Sequence, residues 1–277
     1  MCRWMAYSGN PVRLDRALYS PAHSLIDQSL HSDLGAEPTN GDGFGIGWYD
    51  DTPTPGVSRS IEPAWNDANL HELAGHITSG HFVAHIRAAI GSPVQQTNCH
   101  PYRYGRWLFA HNGAIAEFAK IKRDMVLAID ESLYPQIAGS TDTEHLFYLA
   151  LTYGLEDDPQ DAVARAIGLV EALGRRRGIQ YPWQGTIVTT DGERTWAFRY
   201  SSEGKTRSLF YTTDVPTLRS LYPESQILDE LSDDSRLIVP EPLGSLPGVW
   251  HEAPENAYGV IGRGEDEIHP FTVKPPS

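Results

Sequence analysis

The chain has 277 residues, 40% of them hydrophobic and 21% charged, the balance of a globular protein large enough to bury a substantial core. Acidic residues outnumber Lys and Arg by 36 to 22, and the resulting net charge of −14 repels nucleic-acid backbones and anionic membranes, so neither is expected as a partner. Two cysteines exclude a disulfide scaffold, no basic-then-apolar leader opens the chain, and the most apolar stretch (146–155) is too short to span a bilayer, so a cytoplasmic protein is expected.

The opening MCRWMAYSG reads as a strand over residues 2–8 closed by a turn at Gly9-Asn10-Pro11. Loss of the initiator methionine would make Cys2 the first residue. It would then carry a thiol, with an ordinary pKa of ~8.5, and a free α-amine, at ~7.7–8.0. A neutral amine takes the thiol's proton, directly or through one water, and the nucleophile brings its own base. The plainer alternative is a buried cysteine that happens to follow a start codon.

Residues 22–30 predict a short helix. Asn40-Gly41-Asp42-Gly43-Phe44-Gly45-Ile46-Gly47-Trp48-Tyr49 is a glycine-dense turn running into a strand. It is not a nucleotide loop, because Ile46 and Trp48 stand where G-x-G-x-x-G needs glycine and no GxxxxGK[ST] follows. These glycines suit a backbone passing close to another element or a ligand. Residues 66–77 predict a helix containing His71 and His76. Five residues apart on a helix, the two project about 140° from each other, too far for one zinc ion. No metal or other cofactor is expected.

Residues 80–89 and 106–111 predict strands, and residues 114–129 a helix. A second helix starts at Ser140, where Thr141 and Glu144 form a capping box. A third covers 159–177 and ends in three arginines that complement the helix dipole. Residues 184–190 and 193–200 flank Asp191-Gly192, a two-residue hairpin turn. Residues 208–213 and 235–239 are further strands, and the tail after Pro240 is expected to be irregular. No repeat or linker divides the chain. One α+β domain over 1–277 is expected, with the part from residue 183 onward completing the sheets.

Four positions carry possible chemistry. His111-Asn112-Gly113 is either a hairpin turn or an oxyanion hole made of the Asn112 amide and the Gly113 N–H. Arg87, at the end of an apolar strand, must find an anion or reach solvent, and the anion is either a substrate carboxylate or an internal partner. Asp142, at the start of a capped helix, either complements the dipole or holds an ammonium group. Cys99, in Asn98-Cys99-His100-Pro101, reads as a buried apolar filler.

Taken in this order, the Met-Cys start, the Asp-Gly segment, His-x-Arg, N-x-His-Pro, His-Asn-Gly and Thr-Asp-Thr-Glu resemble the glutaminase domain of class II glutamine amidotransferases. The resemblance covers residues 2–151 and is nearest the stand-alone branch, which includes the γ-glutamyl hydrolase of ergothioneine biosynthesis. It implies a four-layer αββα sandwich of the N-terminal-nucleophile hydrolase type. It also implies roles: Cys2 as nucleophile, Asn112 and Gly113 as oxyanion hole, Arg87 on the α-carboxylate and Asp142 on the α-ammonium of a γ-glutamyl substrate. Two departures stand out. Ile90 occupies the place where ammonia-producing members usually have threonine, and the acceptor domain of the larger enzymes has no counterpart here. The expectation is therefore hydrolysis of a γ-glutamyl amide. The alternatives are a glutaminase subunit serving a separate synthase and a non-catalytic ligand-binding protein.

Overall fold

The computed structural model describes residues 2–31, 34, 39–89, 91–262 and 266–275, so Met1 and Ile90 lie outside the described residues. The chain runs through β1 (Arg3–Arg13), α1 (Leu14–Leu18), α2 (Leu25–Leu30), β2 (Phe44–Trp48), β3 (Gly56–Ser60), α3 (Ala68–His76), β4 (Thr78–Ile86), β5 (Tyr102–Tyr104) and β6 (Trp107–Ile115). Three helices follow: α4 (Phe118–Ala128), α5 (Asp142–Thr152) and α6 (Pro159–Arg176). The remainder is β7 (Trp183–Thr190), β8 (Thr195–Ser201), β9 (Phe210–Thr212), α7 (Val215–Leu221), α8 (Gln226–Glu230), β10 (Arg236–Val239), β11 (Trp250–Glu252), β12 (Ala257–Ile261) and β13 (Asp266–Pro270).

The strands form two antiparallel sheets, ordered β11-β9-β10-β1-β4-β2-β3 and β13-β12-β8-β7-β6-β5. Side chains alternate across each strand, and that alternation sorts the core into three slabs. Met5 and Tyr7 of β1, with Phe82 and Ala84 of β4, pack against Leu14, Leu18, Leu25 and Leu70 of α1–α3. Trp4, Ala6 and Val83 face the other way and meet Leu108, Ala110, Val188 and Ala197 of the second sheet. Phe109, Ile115, Ile187 and Phe198 cover α4–α6 on the far side. The layers are helix, sheet, sheet, helix, the α+β sandwich expected. The Trp4 indole N–H donates to Thr186 Oγ1 at 3.1 Å, a polar tie between the two sheets.

Local expectations fail where distant partners intervene. β1 does not stop at Gly9-Asn10-Pro11 but continues to Arg13 through a register shift between Ser8 and Val12. Asn10 is held there by Ser232 and Ser235, so the expected turn is a bulge. The helix expected over 22–30 is shorter and begins after its cap, Ser24. Asn112-Gly113 is no turn, because β6 runs on to Ile115 and α4 begins only at Phe118. The Asp191 turn spans residues 191–194, with Asp191 Oδ1 accepting from the N–H groups of Glu193 and Arg194. Thr141 caps α5, but the Glu144 carboxylate turns to the N–H groups of Ala138 and Gly139, so the capping box is half formed. The tail carries α7, α8 and β10–β13, and Phe271 beyond them is buried in the core. Among the described residues, no helix is long and apolar enough to cross a membrane.

Candidate active site

Strand alternation also sets the site. Cys2 shares its parity with Trp4 and Ala6, and Arg87 shares its parity with Val83 and His85, so both point into the gap between the sheets. Arg3 pairs with Ile86 across β1 and β4, and the residues just beyond that pair, Cys2 and Arg87-Ala88, come together. The Cys2 thiol lies 3.6 Å from the Ala88 carbonyl, to which it can donate, and 3.5 Å from the Ala88 N–H, from which it can accept. Burial pushes the thiol pKa up. The Ala88 N–H and the Arg87 charge pull it down, and Asp142 pushes it up again.

Arg87 is 3% exposed and meets no carboxylate among the described residues. Its guanidinium donates to the Asp42 carbonyl at 3.3 Å, the Ser92 hydroxyl at 2.8 Å and the Pro93 carbonyl at 2.9 Å. It is held in place by neutral acceptors. The glycine-dense segment is the neighbouring wall. Asp42 Oδ2 accepts from the Ala89 N–H at 2.7 Å, and a Cβ on Gly45 would sit 2.2 Å from the His100 carbonyl. These glycines therefore let the 96–101 loop lie directly on β2.

Asp142 is the first residue of α5, and its carboxylate is fixed from both sides. Oδ2 accepts from the Ile115 N–H at 2.9 Å, and Oδ1 from the Thr143 N–H at 2.8 Å. The end of β6 is thereby tied to the start of α5. Asn112 has the same parity as Leu108 and Ala110, so it faces the gap between the sheets. It lies opposite Thr186, the residue that holds Trp4, two residues from Cys2. The Asn112 amide forms no hydrogen bond among the described residues, and its Oδ1 is buried without a partner there. Gly113 pairs with Gly185, and a Cβ on it would meet the Gln184 carbonyl at 2.1 Å.

Three buried imidazoles adjoin the site. His85 and His100 stack with centroids 4.1 Å apart. Burial lowers the His85 pKa to about 3 and holds His100 well below its ordinary value. His111 points the other way, onto Trp183, with Nδ1 3.0 Å from Thr143 Oγ1, and burial lowers its pKa to about 4. The histidines of the helix motif lie elsewhere: His71 packs edge-on against Tyr19 and His76 contacts Glu72. Cys99 is fully buried and donates to the Ser60 carbonyl.

Arg87 and Asp142 thus lie close enough to act on the Cys2 thiol, and Asn112 and Gly113 lie in the last residues of β6, whose end Asp142 holds through Ile115. Sequence reading missed the Ala88 main chain, which no side chain announces, and Arg207, which sits in the connection between β8 and β9. Arg207 is close enough for its charge to act on Cys2 and His111. It stands in an ordinary polar loop with no motif around it.

Comparison with known proteins bears on the fold and the family. A family profile described as glutamine amidotransferases class-II matches residues 22–213. The probable glutamine amidotransferase DUG3 of Saccharomyces cerevisiae is 32% identical over 98% of this chain and 84% of its own length. The gamma-glutamyl-hercynylcysteine sulfoxide hydrolase of Mycolicibacterium smegmatis is 33% identical over 117 residues, which are 42% of this chain and 52% of that one. A solved glutamine aminotransferase class-II domain protein from Silicibacter pomeroyi is 31% identical and superposes with a TM-score of 0.76 over 99% of this chain and 100% of its own. At 13% identity, the glutamine phosphoribosylpyrophosphate amidotransferase of B. subtilis shares the fold, with a TM-score of 0.66 over 99% of this chain and 50% of its own. The chain belongs to the class II glutamine amidotransferases.

Proposed function

We propose that the protein hydrolyses a γ-glutamyl amide, with Cys2 as an N-terminal nucleophile and the whole of 1–277 acting as one domain. The observation that carries this reading is the buried guanidinium of Arg87, which meets no carboxylate among the described residues, beside the Cys2 thiol, with the Asp142 carboxylate also acting on that thiol. A glutamyl head group is a zwitterion. Its α-carboxylate would take Arg87 and its α-ammonium Asp142, which fixes the γ-carbonyl in front of sulfur.

Removal of Met1 frees the α-amine of Cys2. The amine accepts the thiol proton as sulfur attacks the γ-carbonyl carbon, and the C–N bond breaks with the proton passing to the leaving amine. The oxyanion formed in between is met by the Asn112 amide and the Gly113 N–H, and the first of these donors is otherwise uncommitted among the described residues. Water, deprotonated by the same α-amine, then cleaves the γ-glutamyl thioester and restores the thiol. No acceptor site is required for this sequence.

Intact mass of the active, untagged protein is expected to lack methionine. Brief incubation with a γ-glutamyl amide and acid quenching is expected to leave a glutamyl adduct on Cys2. Cys2→Ala is expected to lose turnover while remaining folded. Retained methionine in an active preparation, or unchanged turnover in Cys2→Ala, refutes the N-terminal cysteine mechanism.

A further inference from the structure

We propose that Arg207 selects the substrate's leaving amine by binding a carboxylate which that amine carries. The proposal rests on the γ-glutamyl hydrolase reading above and narrows its substrates to γ-glutamyl amino acids or peptides with a carboxylate near the scissile amide.

The connection bearing Arg207 is fastened on both sides. Before it, Gln184 Nε2 donates to the Lys205 carbonyl at 2.8 Å, and the Thr206 hydroxyl donates to the Glu255 carboxylate at 2.7 Å. After it, the Ser208 hydroxyl donates to the Pro240 carbonyl at 2.7 Å, and Leu209 accepts from the Ala253 N–H at 2.8 Å. Gln184 lies opposite Ala114, one pair beyond Gly113 and Gly185, so the connection passes beside the proposed oxyanion hole. Arg207 is thereby presented by a rigid frame at the edge of the site.

Its guanidinium has no use within the described protein. Among the described residues it makes no ion pair or hydrogen bond, and its Nε is buried without a partner. Arg207 is half-buried, whereas the buried Arg3 and Arg199 have carboxylates, Arg3 in Glu241 and Arg199 in Glu252 and Glu255. Burial and the nearby charge of Arg3 both act against Arg207, yet a guanidinium stays protonated. A desolvated cation of this kind calls for an anion, and its planar fork fits a carboxylate. Arg207 is close enough to Cys2 for the two charges to act on each other, and its connection is tied through Gln184 to β7 of the second sheet, whereas Arg87 follows β4 of the first. The two guanidiniums, neither with a carboxylate partner among the described residues, therefore reach the site from different sheets. A γ-glutamyl substrate bound through its α-carboxylate at Arg87 would extend its leaving amine toward Arg207.

The test compares kcat/KM for γ-glutamylglycine and γ-glutamylmethylamide, which differ in the carboxylate, with glutamine as a third substrate. The wild type is expected to favour the glycine conjugate by about 10- to 100-fold, the range of one charge-assisted pair. Arg207→Gln is expected to bring the ratio near unity, mainly through KM for the glycine conjugate, and Arg207→Lys to keep part of it. The ratio is internal to each preparation, so partial unfolding of a variant does not distort it. Equal use of both conjugates by the wild type, or a wild-type ratio in Arg207→Gln, overturns the proposal. Turnover of glutamine alone overturns it while leaving the hydrolase reading intact, and turnover of none of the three refutes that reading as well.

Discussion

Asn112 separates a catalytic role from a structural one more cleanly than any neighbour, because its amide is bonded to nothing among the described residues. Truncation therefore removes no native hydrogen bond seen there. Asn112→Ala is expected to lower kcat by about 10²- to 10³-fold, as loss of an oxyanion donor does. KM should change little, and the unfolding free energy by less than about 1 kcal/mol. Steady-state kinetics beside urea unfolding checks both halves, and full activity in the variant would remove Asn112 from the oxyanion hole. At this scale the sequence was informative. A thiol after the initiator, an arginine at a strand end and an aspartate at a helix start each have chemistry that their immediate surroundings constrain. Arg207 was invisible because its significance is the lack of a partner among the described residues, which only three-dimensional packing reveals.

β6 and β7 show what one backbone position can demand of an element. A Cβ on Gly113 would lie 2.1 Å from the Gln184 carbonyl and 2.5 Å from Gly185 Cα, both main-chain atoms that cannot swing away. Gly113→Ala must part the two strands at the proposed oxyanion hole, and is expected to cost at least about 3 kcal/mol. Gly75, on α3, has open space where a Cβ would stand, with nothing within 4 Å, so Gly75→Ala is expected to stabilise by about 0.5–1 kcal/mol. Urea unfolding of the pair tests the contrast, and a neutral Gly113→Ala would show that the strands yield. The sequence placed a strand and a helix around these residues but read Asn112-Gly113 as a possible turn. The preference of Asn-Gly for turns is local, whereas the eight-residue pairing of β6 with β7 is not.

Across the whole molecule, the gap between the sheets holds His85 and His100, with His111 on the far face of the second sheet. Burial depresses all three, His85 to about 3 and His111 to about 4. The charges acting on them are Arg87 and His111 on His85; His85, His111, Arg87 and Arg59 on His100; and Asp142 and Arg207 on His111. The native imidazoles stay neutral as pH falls below ~6.5, while those of the unfolded chain take up protons. Stability is therefore level in this respect above pH 7 and declines toward pH 4, by up to about 1.4 kcal/mol per pH unit for each group. Urea unfolding at pH 7.5 and pH 5 is expected to show the loss, and His100→Phe to reduce it. An equal decline in wild type and variant would exclude His100 as a contributor.

The sequence by itself determined which side chains are capable of the proposed chemistry, because thiol, guanidinium, amide and carboxylate are properties of single side chains. It also determined the helical runs of α3, α5 and α6, whose caps and apolar spacing lie within a few residues of each other. Tertiary structure alone decided the rest. β11 is only three residues long, and β12 exists as a strand between β8 and β13, so the expected irregular tail became part of both sheets. The gathering of Cys2 with Arg87, and the lack of a partner for Arg207 among the described residues, arise from pairings and packing between residues far apart in the chain, which no local pattern encodes.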